Sequence, residues 1–292
     1  MNNFTKSAFA RFFTKFPQIM LANLLYVFIF AVFTAAFVLI GSLLGFNNII
    51  VWCLGIIPSM PFFAGFVMVV RKIGLEKKDV PVIKTFFAAV KENFKAFLVH
   101  GLVVYAIIAC SVFAAMYYFS LAGESVVYGT MLTVYVLFSL ILISMMFYVP
   151  IMSVTYELRL IDVYKNSFIL VFGNILRNIF AMLLFIVTLF AFVLWIAAAE
   201  NAMLVVSIAA AVIVFPLIST YGVNVIIAKG MQEHVGSFTG GAPVVPDEFE
   251  EKVEMLVEQQ AVERADSDSD YVFVNGKMIK KNHSDGENSA QK

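Results

Sequence analysis

The sequence predicts an all-α fold. It reads as a polytopic membrane bundle of six transmembrane helices, built as three hairpin repeats, each preceded by a cytoplasmic amphipathic helix. Three observations carry this. Of 292 residues, 61% are apolar and 14% charged, with a mean hydropathy of +0.90; a soluble domain carries roughly 25% charge. Six continuous apolar stretches reach the ~20 residues that a helix needs to cross a ~30 Å hydrocarbon core. Lys and Arg fall on alternate connections only, which fixes the side of each connection.

The elements follow in order. Residues near the N-terminus carry Lys6, Arg11 and Lys15 beside Phe4, Ala8, Phe9, Phe12, Phe13 and Phe16 at helical spacing. This is not the pattern of a cleaved signal, because the apolar run starts late and is long. The first span is Ile19–Leu43. The uncharged turn Phe46-Asn47-Asn48 leads to the second span, Ile49–Val70, which holds Pro58 and Pro61. The next connection holds Arg71, Lys72, Lys77, Lys78, Lys84, Lys91 and Lys95. Asp79 and Pro81 supply a helix start there, followed by the stripe Ile83, Phe86, Phe87, Val90, Phe94 and Phe97.

The third span is Phe97–Leu121. The turn at Gly123-Glu124 has only an acid. The fourth span, Val126–Val154, contains Pro150. The connection after it has Arg159, Lys165 and Arg177, with the stripe Tyr164, Phe168, Phe172, Ile175 and Ile179. The fifth span is Ile179–Ala199. Glu200-Asn201 turns into the sixth, Met203–Ala228, which holds Pro216 and is closed by Lys229. Each stripe predicts an amphipathic helix at the interface, packed as a collar on the membrane domain. The apolar runs are continuous rather than alternating, which excludes barrel strands. With every basic residue of 1–229 on one side, both termini are expected in the cytoplasm.

The three striped segments superpose in sequence. Ser7, Thr85 and Ser167 each stand nine positions before an apolar residue, Phe16, Phe94 or Leu176. A span begins three positions later, at Ile19, Phe97 or Ile179. The repeats are therefore about 4–72, 82–159 and 164–229, in one shared orientation. Many secondary transporters use inverted repeats instead. The prolines of the second span of each unit kink it and free a backbone carbonyl.

Residues 1–229 hold 14 Lys/Arg and 7 Asp/Glu, and residues 230–292 hold 6 and 13. The tail is thus a separate acidic region. Residues 247–265 read as a solvated acidic helix. Residues 271–280 read as a possible β-hairpin around Asn275-Gly276, the preferred pair for a tight turn.

Chemistry-bearing residues are few. His100 lies one turn into the third span, and Asn23 and Asn224 lie near the same cytoplasmic face. They form either a polar site beneath that face or hydrogen bonds between spans, and the second reading is the expected one. No carboxylate pair, Lys or Arg sits mid-span, where an ion-coupled carrier would hold one. There is no nucleotide-binding loop, Ser/His/Asp order, HExxH or zinc spacing. Cys53 and Cys110 lie in apolar runs and are expected as small buried side chains. The sequence thus predicts no catalytic residue, no cofactor, no metal and no nucleic-acid partner.

The chain resembles the YesL-like family of bacterial membrane proteins, a family of unknown function. The resemblance rests on Phe16-Pro-Gln-Ile-Met-Leu-Ala-Asn23-Leu-Leu, on Pro58 and Pro61, and on Phe86-Phe-Ala-Ala-Val-Lys-Glu-Asn93-Phe-Lys95. It covers roughly residues 4–229, and Tyr26 stands where the family carries a Trp. It implies an accessory role beside carbohydrate uptake. The expected function is a non-enzymatic accessory, scaffolding or regulatory partner of another membrane system. Its partners would be the lipid bilayer and a protein met through the amphipathic helices and acidic tail. The alternative is a transporter or channel for a small solute or lipid.

Overall fold

The computed structural model describes residues 3–46, 48–238, 271–274 and 277–280. They fall into two units, Met1–Thr239 and Gly240–Lys292. In the first, α1 (Asn3–Thr14) meets α2 (Phe16–Leu43) at Lys15, where Pro17 in the opening turn suits a helix start. Gly45 takes a positive φ of 77° just past α2, and the Phe46 amide closes back on the Gly41 carbonyl at 2.8 Å. The Asn48 side chain then caps α3 (Ile49–Trp52), accepting from the Val51 amide at 3.0 Å. A 3₁₀ turn, Cys53–Gly55, joins α3 to α4 (Ile56–Val70), and α4 continues into a π-helical turn, Arg71–Leu75.

The remaining helices are α5 (Val82–Leu121), α6 (Val126–Thr155), α7 (Leu160–Gly173), α8 (Ile175–Ala198) and α9 (Asn201–Phe238). Ser125 caps α6 by accepting from the Val127 amide. Six helical segments are long and apolar enough to cross a membrane: Phe16–Leu43, Ile49–Leu75, Val82–Leu121, Val126–Thr155, Ile175–Ala198 and Asn201–Glu233. The unit is a multi-pass membrane protein. In the second unit, β1 (Tyr271–Val274) and β2 (Lys277–Lys280) pair antiparallel, with Tyr271 opposite Lys280 and Val274 opposite Lys277. The predicted helix at 247–265 and the turn residues Asn275 and Gly276 lie outside the described residues.

One span is central. In its most apolar window the segment Ile49–Leu75 is 61% buried, against 6% to 17% for the other five. It packs on α2, α5, α6 and α9. One buried cluster joins Ala64, Val67 and Met68 of α4 to Phe97, Tyr148, Met152 and Ile227. The other joins Phe66, Val69 and Val70 to Ile19, Phe86, Leu217 and Tyr221. The outer faces of α8 and the other peripheral helices remain apolar and uncovered, for example at Phe180, Leu183 and Phe190, as lipid contact requires.

Two glycines bring α4 and α5 together. A Cβ on Gly101 of α5 would stand 2.9 Å from the Ile57 carbonyl oxygen. A Cβ on Gly65 of α4 would stand 2.8 Å from the Phe86 ring and carbonyl. Small residues permit such backbone approach in a membrane, where packing rather than hydrophobicity joins helices.

Three expectations need correction. The stripe Ile83–Phe97 does not form a separate interfacial helix. It is the first part of the 40-residue α5, because no Gly or Pro interrupts residues 82–100 as Pro17 and Gly173 do elsewhere. The stripes also do not all pack inward. Phe9, Phe13, Phe87, Phe94, Phe168, Phe172 and Ile179 are exposed, and α7 instead buries Val163, Ser167, Leu170 and Val171. A bilayer accepts apolar surface, so exposed rings on a membrane protein need no protein cover. Finally, Cys53 is only half-buried and Cys110 is exposed.

The glycine contact predicts that Gly101→Val separates α4 from α5. The loss expected is ~1–3 kcal/mol, seen as a lower unfolding temperature of the detergent-purified protein. Unchanged stability would reject the close contact.

Candidate functional site

The basic segments converge on one end of the bundle, and there most of the interior polar groups are found. Helices that end there leave carbonyls without amide partners. Arg71 donates to the Val154 carbonyl in the last turn of α6 at 2.5 Å and pairs with Glu76 at 2.5 Å. Arg11 donates to the Ile73 carbonyl at 3.3 Å, and Tyr221 Oη donates to the Ala8 carbonyl at 2.7 Å. Arg177 donates to Glu233 at 2.9 Å and to Asn174 at 3.0 Å. Cations near helix C-termini also favour the helix dipole.

Asn178 completes this framework. Its Nδ2 donates to the Leu170 and Val171 carbonyls at 3.1 and 2.8 Å, closing the end of α7, and its Oδ1 accepts from Tyr148 Oη at 2.7 Å. Sequence reasoning passed over Asn178. The signal available was an Asn four residues after Asn174, at a helix junction.

His100 on α5 is fully buried. Its Nδ1 lies 2.7 Å from Tyr164 Oη on α7 and its Nε2 lies 2.9 Å from Ser153 Oγ on α6. Burial pushes the Tyr164 phenol up to about 12, so it keeps its proton. We assign the phenol as donor to Nδ1 and Nε2–H as donor to Ser153, which satisfies a neutral ring at both nitrogens. His100 therefore ties three helices. Asn23 on α2 is also fully buried. Its Nδ2 donates to the Ile213 carbonyl at 2.7 Å, in the turn of α9 that Pro216 opens. Its Oδ1 has no partner among the described residues.

A cavity of about 400 Å³ lies among α4, α5, α6, α8 and α9. Its wall includes Met60, Phe63, Val104, Ile107, Phe147 and Phe185, and its polar lining is His100, Ser219, Thr220 and Asn224. The structure thus brings His100 and Asn224 to one cavity and leaves Asn23 outside its lining. Asn224 is 5% exposed, and its carboxamide makes no hydrogen bond to another described residue. Thr220 precedes it by one helical turn, on the same face of α9; that pairing was visible in the sequence. Among the described residues no three His, Cys, Asp or Glu side chains are grouped to hold a metal ion.

A family described as a protein of unknown function, DUF624, matches residues 19–115. That stretch holds α4, most of α2 and α5, both helix-joining glycines, Asn23 and His100. No curated protein and no solved structure matches the chain.

Two predictions separate framework from cavity. Asn178→Leu strands the Tyr148 hydroxyl and the Val171 carbonyl, while the Leu170 carbonyl keeps the Asn174 amide, so stability falls by ~1–3 kcal/mol. Asn224→Leu breaks no bond to another described residue and removes an unpaired carboxamide, so it should not lower the unfolding temperature. Chemical denaturation of both variants checks this.

A pH dependence follows from Lys15 and Asp79, which pair at 2.8 Å. The Lys15 ammonium bonded to Asp79 holds its carboxyl below the usual carboxylate range. The contribution is therefore present above the unfolded value of about 3.9 and lost as pH falls through the lower folded value. Acidification from pH 5 to pH 3 should lower the protection factors of the α1 amides, taken relative to intrinsic exchange at each pH, more in the native chain than in Asp79→Asn. An equal loss of protection in both would reject the pair as an anchor.

Proposed function

We propose that this chain is a cytoplasmic-membrane protein with both termini in the cytoplasm, built from three hairpin units of one orientation. It acts without catalysis, as an accessory, scaffolding or regulatory partner of another membrane system. Carbohydrate uptake is the class that the bacterial family resemblance implies. The orientation is supported by the 14 Lys/Arg of residues 1–229, which all fall on alternate connections. The repeat is supported by proline inside α4, α6 and α9, at Pro61, Pro150 and Pro216, the second span of each hairpin.

The observation that carries the accessory reading is what the polar groups do. The strongest of them, Arg11, Arg71, Asn178 and His100, hold helix ends and neighbouring helices together. None of the residues lining the cavity is charged, which leaves an ion-coupled carrier without its usual group. The basic connections and the acidic tail are then the partner-facing surface. The cavity itself favours a second reading, passage of a small solute or lipid through the bundle.

Affinity purification from native membranes tests the first reading. A transporter subunit should co-purify with the full chain and be lost on deleting residues 236–292. Solute flux by the purified protein alone in liposomes would reject the accessory role in favour of the second reading.

A further inference from the structure

We propose that the cavity inside the bundle is a binding site for one hydrocarbon chain of a bilayer amphiphile, whose uncharged hydrogen-bonding group is held by Asn224. The proposal concerns a ligand of the bundle and does not rest on the accessory role.

Size and lining come first. About 400 Å³ falls within the range of small-molecule sites, roughly 300–1,000 Å³. The wall is built of Met, Phe, Val and Ile side chains with no Lys, Arg, Asp or Glu. An ionised group placed there would lose its hydration without gaining a counter-charge. A sugar would need many more hydrogen-bonding partners than Thr220 and Asn224 supply. A hydrocarbon chain needs none.

The cavity is also polarised. Its lining runs along α5 from His100 to Ile108 and along α9 from Ser219 to Asn224. At 1.5 Å per residue, the α5 wall is about 12 Å long. The helices α5 and α9 run in opposite senses, because α5 leaves the basic end and α9 returns to it. His100 and Asn224 therefore mark the same, basic end, and Ile107 and Ile108 mark the deep end. The chain of an amphiphile would enter toward Ile108 and leave its polar group near the interface.

The polar end is not equally available. Both nitrogens of His100 are occupied, by Tyr164 and Ser153, so its ring is wall. Asn224 differs: it is 5% exposed, lines the cavity and has no partner among the described residues. A buried carboxamide left unpaired is unfavourable, and a ligand carbonyl or hydroxyl removes that penalty. Pro150 lines the same cavity and cannot return an N–H to the Met146 carbonyl. Met146 is likewise a lining residue. The Asn224 carboxamide, donor and acceptor at once, with the Thr220 hydroxyl one turn before it, suits a hydroxyl beside an ester, as in a monoacylglycerol.

The test uses the full chain in phosphatidylethanolamine–phosphatidylglycerol vesicles with a monoacylglycerol bearing a mid-chain diazirine. After irradiation, adducts are mapped by peptide mass spectrometry. We expect them to concentrate on lining residues such as Val104 and Phe147, and to be displaced by unlabelled monoacylglycerol. Val104→Trp, which fills the deep end, should remove most of them. Asn224→Leu should raise the competitor concentration needed by about 3- to 10-fold, the loss of one hydrogen bond. Adducts spread evenly over exposed α8 residues such as Phe180 and Phe190 would overturn the proposal. So would wild-type adducts that unlabelled monoacylglycerol does not displace, or that maltose does, and this arm stands whether or not the variants fold.

Discussion

The passage of α4 against α5 is the contact on which the rest of the bundle depends. Gly65 and Gly101 remove the side chains that would hold the two backbones apart. A span surrounded by α2, α5, α6 and α9 cannot use lipid to fill gaps, so its neighbours must fit it directly. Ala64, Phe66, Val67, Val69 and Val70 are all nearly without exposure, while peripheral helices keep broad apolar faces. Removing the close approach would unseat both buried clusters, since each draws on α4.

A second constraint acts at the basic end. Hydrocarbon offers backbone groups no hydrogen-bonding partner, and helix ends are the points where the helix cannot satisfy itself. Arg11, Arg71 and Asn178 meet this demand with side chains that reach across elements. Two of the cations whose placement follows the positive-inside pattern, Arg11 and Arg71, also close helix ends. Charge distribution and helix termination are thus one solution to two problems.

The interior cavity stands apart from this framework. Its polar residues do not share one role: His100 is fully engaged and joins three helices, whereas Asn224 has nothing to hold within the described protein. A carboxamide that is 5% exposed, lines an apolar cavity and has no partner among the described residues has the layout of a ligand site. The absence of charge from the lining directs that ligand toward apolar chemistry. The two proposed roles, partner to another membrane system and holder of an amphiphile, would use different surfaces and are compatible.

Much of the fold was legible in the sequence. Hydropathy and the placement of Lys and Arg locate six spans because the bilayer imposes one length and one polarity on every helix. Asn48, Ser125, Pro17 and Gly45 act within a turn of their own position, so local chemistry sufficed for them. Stripe periodicity identified apolar faces but not what they meet: Phe168 and Phe172 face outward while Ser167 is buried. Asn23, His100 and Asn224 were identified as polar residues near one face, yet their fates differ. One donates to α9, one bridges α6 and α7, and one lines a cavity unpaired. The bilayer acts on each helix separately, so the sequence determined the spans; hydrogen-bond partners and cavities belong to pairs of helices distant in the chain, and only their packing decided them.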